Sequence, residues 1–335
     1  MGSGGSVKAA RIVRPGEVAF VEVQANTPGP GEVIVRPICL SLCGSDITHY
    51  RYLSEDSYPQ PAGVSGHEMI GIVEAVGNGV SGIVPGEPAL TLSPDQNAMT
   101  ECYCTKAEYV LPLPEGPSFE DLLMAQQLGT VVYSARRVPN IVGATAAIIG
   151  QGSAGIFWAQ MLRRLGCRRV IVMDLRDARV EAGRRFGADL SFNNGKRDPK
   201  EAVAESTGGL GADIVVEAAG EADATNLAAR LVRERGILYY FGIPRSRSFV
   251  FDYATFFSSY AMTFSTSGSM REPGKGSFRV ALDLIARGDV DVRGMVTHRV
   301  PFKELSRAYE LAHTGADGAV KVVVEMPGAD RLKRT

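Results

Sequence analysis

Cys43, Ser45, Asp46, His67 and Glu68 stand in two short stretches, Pro37-Ile-Cys-Leu-Ser-Leu-Cys-Gly-Ser-Asp46 and Gly66-His-Glu-Met-Ile-Gly-Ile-Val-Glu-Ala-Val-Gly77. A thiol, an imidazole and a carboxylate are ligand types of an open catalytic zinc site, which keeps a fourth position for substrate. Further along, Ile148-Ile-Gly-Gln-Gly-Ser-Ala-Gly155 reads G-x-G-x-x-G. In that pattern Gly150 allows a tight turn, Gly152 admits a pyrophosphate close to the backbone, and Gly155 lets a helix pack on its strand. The amides of Ser153, Ala154 and Gly155 then open the helix and face the phosphates. A metal and a dinucleotide in one chain point to hydride transfer at a metal-polarised alcohol or carbonyl.

Asp174 follows Gly155 by 19 residues, at the end of the next strand-like run. A carboxylate there accepts hydrogen bonds from the ribose diol of the adenosine and repels a 2′-phosphate, which favours NAD over NADP. Arg176 and Arg179 lie close by in sequence and leave some NADP binding open.

Two kinds of architecture must position these groups. Residues 7–115 alternate short β-type runs, such as Val18–Val23, Glu32–Arg36, Gly71–Val76 and Ala107–Leu111, with turns such as Pro28-Gly-Pro-Gly31. That spacing predicts a mainly β, barrel-like domain. From about residue 118 the period changes. Phe119 to Arg137 has helical spacing, and strands then alternate with helices from Ala146 to Ser265. Such alternation predicts an α/β, doubly wound parallel sheet of Rossmann type.

A chain of 335 residues is too long for one compact core, so two domains are expected. With 45% apolar and 22% charged residues the composition is that of an ordinary globular protein. The net charge of −1 supplies no basic field for nucleic acid or an acidic membrane, and no apolar run is long enough to span a bilayer. The Gly/Ser-rich start, Met1–Ser6, lacks the apolar centre of a signal peptide and is set apart from the fold. The five scattered cysteines argue against a disulfide framework and for a reducing cytoplasm.

Cys43-Gly-Ser-Asp46, Gly66-His-Glu68 with the glycines that follow, and Gly150–Gly155, in that order, resemble the zinc-dependent medium-chain dehydrogenase/reductase superfamily. The polyol and threonine dehydrogenase branch is the nearest match. The resemblance runs through Thr297–Phe302 and Gly318–Val324. It implies a GroES-like catalytic domain from residues 1–128 and 270–335, and a cofactor domain at 129–269. It also implies one catalytic zinc on Cys43 and His67, with Glu68 as an occasional or direct ligand. A third ligand in this branch is a Glu, and alignment through Arg136-Arg137 puts Gln126 in its place. An amide brings no charge, so Glu68 is expected to compensate by ligating zinc directly. The structural zinc of the family needs four thiolates. Only Cys102 and Cys104 occur in the matching region, so that second zinc is not expected.

By the same resemblance Ser45 is the first hydroxyl of a proton relay. The usual next member, a His, is replaced by Thr48, with an imidazole one step on at His49. Asp46 is expected to orient His67 by accepting its second N–H. The polar and aromatic segment His49–Tyr58 favours a polyol, sugar-like or anionic substrate, with Arg51 as a candidate partner for an anion. The leading expectation is an NAD-linked dehydrogenase of secondary alcohols or polyols. The alternatives are a zinc-free NADPH-dependent quinone or enone reductase and a catalytically silent nucleotide-binding protein. A homodimer or homotetramer is expected, with Arg247–Asp252 a candidate sheet edge.

Overall fold

A computed structural model describes residues 5–246, 248–265 and 268–329. The start of the leader, Met1–Gly4, and Arg247 of the proposed edge lie outside the described residues. The chain divides into two compact units, Met1–Gly129 with Met270–Thr335, and Thr130–Ser269.

The first unit opens with an antiparallel hairpin, β1 (Ser6–Arg14) and β2 (Glu17–Gln24). It continues with β3 (Glu32–Ser41), a single-turn helix α1 (Gly44–Ile47), β4 (Glu68–Val76), β5 (Pro88–Leu92), β6 (Tyr103–Lys106) and β7 (Val110–Pro112). After the six strands of the second unit it closes with β14 (Val296–Pro301) and β15 (Lys321–Glu325). The sheet order is β14-β15-β3-β4-β5-β7, with β6 also paired to β3. A wide helical turn, Thr48–Tyr52, follows α1. Inside the sheet lies a core of Val33, Val35, Leu40, Met69 and Val73. The last α-helix among the described residues, Leu305–Thr314, closes it by burying Leu305, Ala308, Tyr309 and Leu311, one face at helical spacing.

The helical run expected from Phe119 to Arg137 is broken. It forms α2 (Phe119–Leu123), capped by the Ser118 side chain on Asp121 N, and α3 (Ala125–Ala135). The expected strand at Ala107–Leu111 starts as a 3₁₀ turn, Ala107–Tyr109, before β7.

In the second unit β8 (Thr145–Ile149), β9 (Arg169–Asp174), β10 (Leu190–Asn193), β11 (Ala212–Glu217), β12 (Val232–Tyr240) and β13 (Met262–Ser265) form one parallel sheet. Its order is β10-β9-β8-β11-β12-β13. Helices α4 (Ser153–Arg164), α5 (Asp177–Arg185), α6 (Pro199–Thr207), α7 (Ala222–Leu231) and α8 (Tyr253–Ser259) alternate with the strands. Every residue of β8 is buried, as the apolar run Ala146–Ile149 after Thr145 leads one to expect of a central parallel strand. The order reverses between β8 and β11, and their carboxyl ends form the crevice in which such sheets bind ligands. Residues 248–252 form no strand, so β13 is the sheet edge on that side, not the run at 247–252.

Candidate active site

The antiparallel register of β3 and β4 sets Ser41 opposite Glu68. The chain leaving β3 therefore runs beside the chain entering β4, and Cys43 comes next to His67. Gly66 turns the chain into β4 with φ +82°, and a Cβ on it would come within 2.9 Å of Leu40. Glycine takes that backbone angle without strain, and a Cβ would also make Leu40 shift. Cys43 caps α1, and Asp46 Oδ2 accepts its backbone N–H at 2.7 Å.

Cys43, His67 and Glu68 each offer one ligand atom, all within 4.8 Å of one another. Ligand atoms on one tetrahedral zinc stand roughly 3.5 Å apart, so a contraction of about 1 Å would bring the three onto one ion and leave a fourth position open. His67 and Glu68 are buried. Glu68 Oε2 accepts from Ser41 Oγ and pairs with Lys321 Nζ at 2.6 Å. Glu68 Oε1 has no hydrogen-bond partner and lies 3.9 Å from His67 Nε2. A buried carboxylate oxygen without a donor is costly unless a cation meets it. The donor set and this orphaned oxygen both fit a zinc ion.

The amide that meets the thiol is that of Gln127, one residue on from the expected Gln126. Gln127 Nε2 lies 3.9 Å from Cys43 Sγ, and its Oε1 accepts from Lys321 Nζ at 3.3 Å. Gln126 is buried on the same helix. Neighbouring positions on a helix point about 100° apart, so the two amides face different surroundings. Lys321 also escaped the sequence reading. Its one signal was a lone charge in the apolar strand Val320–Val324.

Asp46 is completely buried. Its Oδ1 accepts from Ser65 Oγ and Gly66 N, each at 2.8 Å, and stands 3.6 Å from His67 Nδ1. Burial raises the Asp46 pKa, but His67 and the backbone donors outweigh it and bring it to about 2. Burial likewise lowers the His67 pKa, and the Asp46 carboxylate and Cys43 together hold it well above the ordinary imidazole value.

Ser45 Oγ is buried with no hydrogen-bond partner, as a hydroxyl awaiting a substrate or a relay would be. Thr48 Oγ1 reaches back to Gly44 O at 3.4 Å. His49 Nδ1 pairs with Gln60 Oε1 at 2.9 Å. Arg51 is tied to Glu310 at 2.5 Å and packs on Gly16, so its charge already has a partner. Cys102 and Cys104 belong to no metal-ligating group of three among the described residues.

The second unit carries the dinucleotide signature. Gly150 ends β8 with φ +92°. A Cβ on Gly155 would lie 1.9 Å from Gly150 O, whereas one on Gly152 would meet only Arg179 Nη1, at 4.0 Å. The turn is tight beneath and open above, the cradle a pyrophosphate needs. Ser153, Ala154 and Gly155 supply the unpaired amides that open α4. Asp174 ends β9 and accepts from Gln151 N at 2.8 Å and Arg176 N at 2.9 Å. Arg179, on α5, stands 3.9 Å from Asp174, and burial lowers its pKa.

Family models agree with this arrangement. One described as an alcohol dehydrogenase GroES-like domain matches residues 29–133, and one described as a zinc-binding dehydrogenase matches residues 154–287. The chain belongs to the zinc-dependent medium-chain dehydrogenase/reductases. It is an oxidoreductase of this alcohol and polyol dehydrogenase family. It is similar to the alcohol dehydrogenase of Cupriavidus necator, with 26% identity over 95% of this chain and 98% of the relative. It is similar to human sorbitol dehydrogenase, with 24% identity over 95% of each chain. Its fold matches that of a putative zinc-binding dehydrogenase from Sinorhizobium meliloti 1021 bound to NADP. There the TM-score is 0.82 and the identity 21%, over 96% of this chain and 99% of the other. No helix among the described residues is long and apolar enough to cross a membrane.

Proposed function

We propose that this dehydrogenase uses one zinc and NAD to interconvert a secondary alcohol or polyol and its ketone. The observation that carries the reading is Glu68 Oε1, buried and unpartnered beside His67 and Cys43. Bound zinc would supply Lewis acidity toward the alcohol or carbonyl oxygen, and NAD would accept or return the hydride.

Cys43, His67 and Glu68 would hold the metal. Glu68 offers Oε1 because Lys321 and Ser41 retain Oε2. Lys321 cancels the Glu68 charge, so the site keeps the positive charge that stabilises an oxyanion. Gln127 donates to Cys43 and restrains the thiolate. Ser45 would take the proton from the substrate hydroxyl, passing it to Thr48, to the cofactor ribose, or to His49 after His49 leaves Gln60. Asp174 favours NAD by accepting from the ribose diol, and Arg179 leaves NADP usable.

Two aspects extend the reading. A homodimer or homotetramer would cover the exposed Phe257, Tyr260 and Met262 at the β13 edge. The five free cysteines fit a reducing cytoplasm.

Elemental analysis of metal per chain, joined to a screen of polyols and secondary alcohols with NAD and NADP, tests the proposal. About one zinc per chain and NAD-dependent turnover are expected. Cofactor binding without zinc or turnover would overturn it in favour of a silent nucleotide-binding protein.

A further inference from the structure

Ser65 is completely buried and holds φ +85°. Glycine adopts that angle freely, whereas a residue with a Cβ is strained there. Its backbone is fixed in place, since Ser65 N donates to Gln96 O at 2.6 Å and Ser65 O accepts from Met99 N at 3.2 Å. What serine offers that glycine lacks is the hydroxyl, and Oγ donates to Asp46 Oδ1 at 2.8 Å.

Asp46 joins the two segments that carry Cys43 and His67. One oxygen accepts the Cys43 amide, and the other accepts the Gly66 amide and stands 3.6 Å from His67 Nδ1. Ser65 is the only side-chain hydroxyl hydrogen-bonded to that carboxylate among the described residues. Without it, each Asp46 oxygen keeps a single backbone donor, Gly66 N on Oδ1 and Cys43 N on Oδ2, and no side chain restrains the carboxylate between the two segments. Strained backbone persists where the surroundings enforce it, and here the strain coincides with a contact beside the proposed ligands.

We infer that Ser65 is a positioning residue of the zinc site: its hydroxyl fixes the Asp46 carboxylate, and through it the spacing of Cys43 and His67. The inference rests on the zinc reading above. Residues that orient metal ligands without touching the metal are commonly worth about 10–100-fold in metal affinity.

The test is zinc affinity by chelator competition, with zinc alone as probe, on wild type, Ser65→Gly and Ser65→Ala, beside the melting temperature of each metal-free protein. Glycine removes the hydroxyl and the strain together, whereas alanine removes the hydroxyl and keeps the strain. Both variants are expected to bind zinc more weakly by about 10–100-fold and to a similar extent. Ser65→Gly is expected to melt above Ser65→Ala. Affinity would then follow the hydroxyl while melting follows the backbone angle, a separation that a merely structural role does not produce. Ser65→Gly binding zinc within about twofold of wild type overturns the inference, and that comparison decides even if Ser65→Ala does not fold. Zinc affinities that simply track the melting temperatures overturn it as well. A wild-type protein that takes up no zinc removes the zinc reading itself.

Discussion

Lys321 Nζ lies 2.6 Å from Glu68 Oε2, and both side chains are shut away from solvent. A buried ion pair is weak evidence of net stabilisation, because desolvation opposes the attraction. Breaking it from one side is another matter, since the partner stays buried and charged. Lys321→Met is expected to lower the stability of the metal-free protein by about 3–5 kcal/mol, measured by urea unfolding. Adding Glu68→Gln removes the stranded charge and should recover much of the loss. A double variant no more stable than Lys321→Met would show that the pair does not govern this region.

Zinc removal should separate the two halves of the chemistry. The metal ligands all come from one compact unit and the dinucleotide cradle from the other. Chelator-treated protein is expected to lose turnover and still bind NADH, followed by fluorescence titration. Cys43→Ser and His67→Ala should purify without stoichiometric zinc. Glu68→Gln should weaken zinc by at least about tenfold, since it removes the charge of a direct ligand. Unchanged zinc affinity in Glu68→Gln would show that Glu68 does not ligate the metal.

The parts legible in the sequence were those written in local pattern. The glycines at 150, 152 and 155 sit where a buried strand meets a helix, and Cys43, Asp46, His67 and Glu68 stand in short motifs whose residue types name their chemistry. What escaped depends on phase or on distant partners. Gln127 was missed because alignment through Arg136-Arg137 drew attention to Gln126, and only the folded helix brings the Gln127 amide to Cys43. Lys321 lies far along the chain from Glu68, and only the pairing of β15 with β3, next to β4, brings the two together. Arg51 read as a free cation because Glu310, its partner, comes from the C-terminal helix. Ser65 carried no signal, since a serine before a glycine gives no hint of a left-handed backbone angle.

Cofactor choice should turn on Asp174 and Arg179 in opposite senses. Both Asp174 oxygens already accept backbone amides, from Gln151 and Arg176, so its carboxylate is held at the edge of the cradle. Asp174→Asn keeps the size of the side chain and removes the charge that repels a 2′-phosphate. It is expected to raise kcat/KM for NADP relative to NAD by about tenfold or more. Arg179→Ala should weaken NADPH more than NADH. A selectivity unchanged in both variants would place the discrimination elsewhere on the cofactor.

Glu217 is expected to give the second unit a pH dependence whose sign follows from its burial. It ends β11, 1% exposed, with Oε1 accepting from Ala219 N and Gly220 N at 2.7 Å each. Burial raises its pKa from 4.5 to about 7, with Glu221 adding to the rise and the backbone donors offsetting part of it. A carboxyl whose folded value is raised contributes stability that is complete below its unfolded value. That contribution is lost as pH climbs through the folded value. A rise of this size corresponds to about 3 kcal/mol, lost between about pH 4.5 and just above pH 7. Glu217→Gln cannot ionise, so its stability relative to wild type should improve steadily across that window and then level off. Urea unfolding of both proteins from pH 5 to pH 8.5 measures the difference, in which the other titrating groups cancel. A difference that stays flat with pH would mean that Glu217 is ionised throughout and that its backbone donors fully offset its burial.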